Sequence, residues 1–394
     1  MQKLQKDFSK TTQFKLNTII QRVGTPVEVE TDKSYTQIGI RSHGKGIFIK
    51  EPVTGLKLGN KRVFWVEPNC FIVNIVFAWE RAVAQTTGEL NGLIASHRFP
   101  MYKLDESKVN LDYFTTLFLT TRGQLLLELA SPGGAGRNKT LGQKEFLNLE
   151  VSLPNIEVQK YVASFLKLLN RKIQKQKTKI ELLKEQKKGY MQKVFKQEIR
   201  FKDENGEDYP TWKKSKLKPY LIQHSEKTTL NNQYPPLTSS RNGIFLQKEY
   251  FNHQVASIDN TGYNIVPRGY FTYRHMSDDV IFKFNINNIV DNGIVSTLYP
   301  VFTTTNEMDS QYLKYFLNES DDFKKYGLLQ KQGGSRTYMY FSKLVEFEAQ
   351  FPTINEQKKI SKFLSNFDRR IQVEQQKLET LQEQKKGFMQ QMFI

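Results

Sequence analysis

The chain has 394 residues, with 58 Lys and Arg against 40 Asp and Glu, a formal net charge of +18 and a pI near 9.6. That length provides for two or three domains, and 38% hydrophobic with 12% aromatic residues builds a core in each. The basic excess points to a polyanion, nucleic acid first, since no apolar run of membrane-spanning length and no N-terminal signal pattern offers a lipid partner. The single cysteine, Cys70, has no internal disulfide partner; it is expected as a buried small hydrophobe in a cytoplasmic protein.

Taken in order, residues 1–12 are polar and basic and give way at Phe14 to a short amphipathic opening, FKLNTIIQRV. Tyr35 to Ile49 alternates apolar residues around a Gly-rich turn. Arg62 to Trp79 passes through a Pro-Asn turn into an apolar strand. Asp112 to Leu129 is expected as one helical stretch, followed by the glycine loop SPGGAGRNKT. An alternating strand, Leu147, Leu149, Val151 and Leu153, then runs into Pro154. After a long helix the charged, turn-rich FKDENGEDYPTW reads as an exposed link. The same order then returns: SSRNGIF echoes IRSHGKGIF, VPRGYFTYRH echoes VEPNCFIVNIVF, and SQYLKYFL echoes LDYFTTLFL. QGGSRTYMYF echoes PGGAGRNKT, and Val345, Phe347, Ala349 and Phe351 alternate into Pro352.

The long helix occurs twice. Pro154 to Lys196 and Pro352 to Ile394 superpose without a gap at an offset of 198, which marks a duplication. In the first copy Leu166, Leu169, Ile173, Gln176, Ile180, Leu183, Lys187, Tyr190 and Val194 follow the alternation of three and four that makes a heptad seam. The second copy places Leu364, Phe367, Ile371, Glu374, Leu378, Leu381, Lys385, Phe388 and Met392 on the same seam, polar at the same two heights, which implies register control. Asn155 with Glu157 supplies an N-cap and first-turn acid, and Thr353 with Glu356 has the spacing of a capping box. From Leu166 to Val194 the seam is about 42 Å long at 1.5 Å per residue. That span corresponds to roughly 12 base pairs. Asn155 to Lys196 carries 12 Lys/Arg against 3 Glu, and Thr353 to Ile394 carries 8 against 5 acids, together +12 of the +18. This excess suits either phosphate contact or a solvated face that docks an acidic partner.

The strings PNIEVQKYVASFL and PTINEQKKISKFL at the helix starts, ELLKEQKKGYMQKVF and TLQEQKKGFMQQMF at their ends, and FKDENGEDYPTWKKSKL leading into the second half resemble those of the specificity (S) subunits of Type I restriction-modification systems. The resemblance implies an α+β chain: two β-rich α/β target recognition domains separated by two long helices that form an antiparallel coiled coil, a pseudo-twofold duplication. The corresponding divisions are residues 1–153, first recognition domain; 154–196, first spacer helix; 197–216, linker; 217–351, second recognition domain; and 352–394, second spacer helix. It implies double-stranded DNA as ligand, each domain reading half of a bipartite asymmetric site. Two modification (methyltransferase) subunits would dock on the stem near KEQKKGYMQ and QEQKKGFMQ, with up to two restriction (nuclease and translocase) subunits. Cofactors would belong to those partners: S-adenosylmethionine in the methyltransferase, ATP and Mg in a restriction subunit, and none in this chain.

Base-reading candidates are Arg, Lys, Ser and Asn donors beside glycine, where the backbone can approach a groove closely. By that rule they are Arg41, Ser42 and Lys45 with Arg137, Asn138 and Lys139 in the first half. In the second they are Ser240, Arg241 and Asn242, Arg274 and His275, and Arg336, Thr337 and Tyr338. Catalytic signatures are missing: there is no Walker loop, no Asn/Asp-Pro-Pro-aromatic grip for a flipped base, and no metal spacing among the five histidines. The chain is therefore expected to recognise and not to react. The competing reading is a coiled-coil-spaced RNA-binding or DNA-architectural protein without sequence specificity.

Overall fold

The computed structural model describes residues 10–133, 139–250, 259–331 and 336–393. The chain divides into two compact units, Met1–Lys177 with Gln376–Ile394, and Thr178–Gln375, so each unit holds one head and a part of both long helices.

The first head is built on a four-stranded antiparallel sheet in the order Ile20–Val23, Met101–Leu104, Phe71–Val73, Val83–Gln85. Separately, Thr11–Lys15 pairs antiparallel with Glu150–Pro154, and Leu16 N–H donates to the Leu149 carbonyl at 2.9 Å. The second head repeats the plan. Its sheet runs Leu221–His224, Val301–Thr304, Phe271–Thr272, Asn285–Ile286, its entry strand Lys213–Lys216 pairs with Glu348–Phe351, and Leu217 N–H donates to the Phe347 carbonyl at 2.9 Å. Leu16 and Leu217 are both fully buried where the chain turns from entry strand to sheet. The first head thus has its own lead-in strand, although only the second has the long charged lead-in sequence.

Three local expectations are corrected. Asp112 to Leu129 is not one helix but two, Leu111–Leu119 and Thr121–Leu129: the Thr120 side chain accepts from Gly123 N–H and caps a second helix, as Ser320 does between Ser310–Glu319 and Asp321–Leu329. Leu147 lies in a short helix, Gln143–Leu147, so the strand begins only at Glu150, with Val151 and Leu153 inward. The capping box at Thr353 does not form. The Thr353 hydroxyl is buried without a partner, while Glu356 is drawn to Arg200 and Trp212. Asn155 does cap the first long helix, its Oδ1 accepting from Val158 N–H at 3.0 Å.

The long helices run Ile156–Phe195 and Ile354–Met392. Each starts with a buried glutamine brace. Gln159 donates to the carbonyls of Lys108 and Pro154 and accepts from Asn110 N–H; Gln357, 198 residues on, donates to those of Glu307 and Pro352 and accepts from Asp309 N–H. Since Asn110 and Asp309 are the N-caps of the short helices, one side chain fastens each long helix to its own head.

In both units the helices pack antiparallel. In the first, Phe165 meets Phe388 edge-on at 5.0 Å; in the second, the equivalent ring pair, Phe363 and Tyr190, meets edge-on at 5.4 Å. Leu166, Leu169, Ile173, Ile180 and Leu183 are buried, as are Leu364, Phe367, Leu378 and Leu381, and Ile371 is half-buried. The polar heights are paired across the seam in the second unit, Glu374 with Lys179 at 3.0 Å and Lys187 with Asp368 at 2.6 Å. In each pair the seam residue is largely buried and its partner about half exposed, an arrangement that favours one register.

Candidate DNA-reading surfaces

In the first head the strands Ile38–Ile40 and Ile47–Ile49 form a hairpin closed by Arg41 N–H donating to the Gly46 carbonyl at 3.0 Å. Its tip passes through the left-handed region at His43 (φ 60°) and Gly44 (φ 66°). A Cβ on Gly44 would stand 2.7 Å from a terminal methyl of Leu119, which could swing aside, so it is the left-handed φ that favours glycine there. His43 and Gly44 N–H donate to the Glu80 and Arg81 carbonyls at 2.7 and 3.1 Å, which docks the tip on the Trp79–Arg81 turn.

This leaves Arg41 and Lys45 exposed and Ser42 half-buried, with the Arg41 guanidinium 4.8 Å from the Phe48 ring centre. Lys139, 6.0 Å from the Trp79 ring centre, comes to the same turn from far along the sequence. Arg137 and Asn138 lie outside the described residues. Cys70 is buried beneath this head, and burial pushes its thiol pKa up to about 11.

The second head gathers its candidates more tightly. The hairpin of Leu237–Ser240 and Gly243–Leu246 presents Arg241 and Asn242 at its tip. Asn285 Nδ2 donates to Ser239 Oγ and the Ser240 carbonyl, both at 2.9 Å, holding that hairpin on the sheet. Met276–Ser277 pairs with Thr337–Tyr338, which sets the His275 ring 6.0 Å from that of Tyr338 and Arg336 beside Asp278; Arg274 and Arg336 lie at opposite ends of the pair. The consecutive acids Asp278 and Asp279 each hold one arginine: Arg336 Nε lies 3.0 Å from Asp278, and Arg241 Nη2 2.6 Å from Asp279. The Ser277 hydroxyl first, and Arg241 with it, keeps the Asp279 carboxyl below its ordinary pKa. Both guanidiniums are thereby oriented, a geometry suited to bidentate recognition of guanine.

His275 donates from Nδ1 to the Leu298 carbonyl at 2.6 Å, and its ring stacks on Tyr340 at 5.0 Å, with Tyr338 stacked against Tyr340 at 5.7 Å. Arg274 is exposed. Thr337 is buried, so it supports the strand pair and presents no side chain outward. Tyr340 and the two acids were missed from sequence. The signal for Tyr340 was its place two residues beyond Tyr338, on the same face of an extended segment. For the acids it was their occurrence together in a basic head.

Among the described residues no group of three or more His, Cys, Asp or Glu is placed to hold a metal, and no helix is long and apolar enough to cross a membrane.

Comparison with known proteins bears on the family and the fold. A family model described as the Type I restriction modification DNA specificity domain matches twice, over residues 74–185 and 192–383. The Type I restriction enzyme MjaVIII specificity subunit of Methanocaldococcus jannaschii is 24% identical over 368 residues, spanning 85% of this chain and 80% of that protein. Among solved structures, the HsdS subunit from Thermoanaerobacter tengcongensis aligns at TM-score 0.54 and 12% identity over 98% of this chain and 97% of that one. A chain of a type I R-M system solved for its complex assembly and conformational transition aligns at 0.59 and 12% identity over 98% of each. At such identities these structures speak for the fold.

Proposed function

The chain belongs to the family of Type I restriction-modification DNA specificity domains, and from that premise we propose how its two heads divide the work of recognition. The protein is the DNA sequence-specificity subunit of a Type I system and acts in assembly with DNA and the other subunits. In our reading each head reads one half of a bipartite, asymmetric site and the paired helices set the gap, because base contacts specify while a rigid spacer only fixes distance.

One observation carries this division: a duplicated frame bears two unlike polar surfaces. The first offers Arg41, Lys45 and Lys139 around one turn, and the second offers Arg241, Arg336, His275 and Tyr340 around an acid pair. Two different half-sites follow from two different surfaces.

Catalysis belongs to partners in this reading. Two methyltransferase subunits bring S-adenosylmethionine and dock where the helix ends agree best, near KEQKKGYMQ and QEQKKGFMQ. Restriction subunits, where the system has them, bring ATP and Mg. The compartment is the cytoplasm. An RNA-binding or architectural role is not favoured by the family, and it would show strong salt dependence with no preferred sequence.

Methylation-sensitive long-read sequencing of the host genome with and without the gene tests the reading. The expected result is loss of methylation at one split adenine-containing motif. An unchanged methylation pattern would count against it.

A further inference from the structure

Asp279 is an exposed residue of the second head that is fixed by only one of its two oxygens. Ser277 Oγ at 2.9 Å, Ile281 N–H at 3.3 Å and Arg241 Nη2 at 2.6 Å all donate to Oδ1, and Ser277 is itself buried. Among the described residues no donor reaches Oδ2. Arg241, exposed at its hairpin tip, likewise spends Nη2 on the acid and has Nε and Nη1 left over. Such an exposed ion pair adds little to stability. A carboxylate on a face that meets DNA is also repelled by phosphate, so neither folding nor general affinity accounts for it.

We propose that Asp279 reads a base itself: Arg241 takes the O6 and N7 edge of a guanine, and the free oxygen of Asp279 accepts from the N4 amino group of a cytosine in the same base pair or the adjoining one. The inference rests on the reading of the second head as a DNA-reading surface and adds bases that it selects. Cytosine follows from the chemistry of the major groove. Guanine shows two acceptors there, thymine shows O4, and adenine sets N7 beside its amino group; cytosine alone shows a donor with no acceptor next to it. An ionised carboxylate, which accepts and never donates, meets a lone pair on every edge but that one. The spacing follows from the ion pair, since side chains 2.6 Å apart span no more than about one 3.4 Å step of the duplex. The first head has no acid in the matching places. Phe71 and Phe271 hold the same position in the two sheets, and 200 residues before Arg241 and Asp279 stand Arg41, which lies on the Phe48 ring, and Trp79, under Lys139. The carboxylate contact therefore belongs to one half-site only.

The probe is duplex DNA, bound by the full chain assembled with its partner subunits. Selection from a randomised pool defines the split motif, and the half in which Arg241→Ala flattens a guanine is the half read by the second head. Each cytosine of that half, on either strand, is then replaced in turn by N4-methylcytosine, whose methyl takes the place of the free amino hydrogen and leaves the paired guanine unaltered. One replacement, within one base pair of that guanine, should weaken binding of the parent about tenfold. It should have no effect on Asp279→Ala, and Asp279→Asn, which keeps an acceptor without the charge, should lie between; both variants should melt as the parent does. A half-site without a G·C pair, a parent indifferent to the methyl at every cytosine, or an Asp279→Ala chain as sensitive as the parent would each overturn the inference, the last by showing that the carboxylate does no more than aim Arg241. If the parent selects no sequence at all, the reading of the head falls, and the inference with it; if it selects a split motif and the methyl has no effect, only the inference falls.

Discussion

Arg200 donates from Nε and Nη2 to the two carboxylate oxygens of Glu356 at 2.8 and 2.9 Å, and Glu356 is fully buried. Trp212 Nε1 adds a third bond at 3.1 Å, and Arg200 also donates to the Tyr209 and Pro210 carbonyls. The stretch that reads as an exposed link is therefore clamped to the first turn of the second long helix. The position equivalent to Glu356 at offset 198 is Val158, so only one copy has the clamp. Glu356→Ala should cost about 1–3 kcal/mol, because it leaves the half-buried Arg200 guanidinium and the buried Trp212 indole N–H without their acceptor. Urea unfolding of the full chain measures this, and a loss under about 1 kcal/mol would mean that the segment is held by something else.

The two long helices begin differently, and substitution separates them. Asn155→Ala should lower stability by about 1 kcal/mol, since the side chain caps Val158 N–H. Thr353→Ala should be neutral or slightly stabilising, because its hydroxyl is buried without a partner. Paired thermal melts decide the matter; equal losses would restore the capping box.

Tyr102 gives a pH dependence with a definite sign. Its hydroxyl is buried unpaired in the first head, and burial pushes its pKa up to about 12 against the opposing charge of Arg22. The folded chain then keeps a proton that the unfolded chain releases from about pH 10, so this stabilisation is complete below pH 10 and declines as pH rises through 12, by about 3 kcal/mol in all. Tyr102→Phe should gain about 1 kcal/mol at neutral pH by removing the unpaired hydroxyl. Its advantage over the parent should widen above pH 10. Urea midpoints of both chains at neutral and alkaline pH test this, and a constant difference would refute the titration.

The oriented arginines bear on DNA reading. Arg336→Ala or Arg241→Ala should cost about 1–3 kcal/mol on the complete site and relax discrimination in one half-site only. Arg41→Ala should do the same in the other half-site. Binding of the assembled subunits to duplexes mismatched in one half or the other reads this out. Uniform weakening across all duplexes would mark these residues as phosphate contacts instead.

Much of this protein was decided locally, and that part was legible in its residues. The heptad seam, the duplication at one offset, the Asn155 cap and the hairpins at Arg41–Lys45 and Ser240–Asn242 all rest on periodicity or on turn chemistry, which act over a few neighbouring residues. The placement of function in recognition was legible too, because the strings at the helix starts and ends that resemble Type I specificity subunits are contiguous. What only the tertiary structure decided are contacts between residues far apart in sequence. Glu356 could not be told from a capping-box acid until Arg200 and Trp212 arrived beside it. Asp278 and Asp279 could not be known to aim Arg336 and Arg241, nor Tyr340 to stack on His275, until two short strands paired. The pairing of Lys187 with Asp368 has the same origin: the two lie 181 residues apart, and the helix position that matches Asp368 at offset 198 is Asn170, so the repeat does not carry the pair twice.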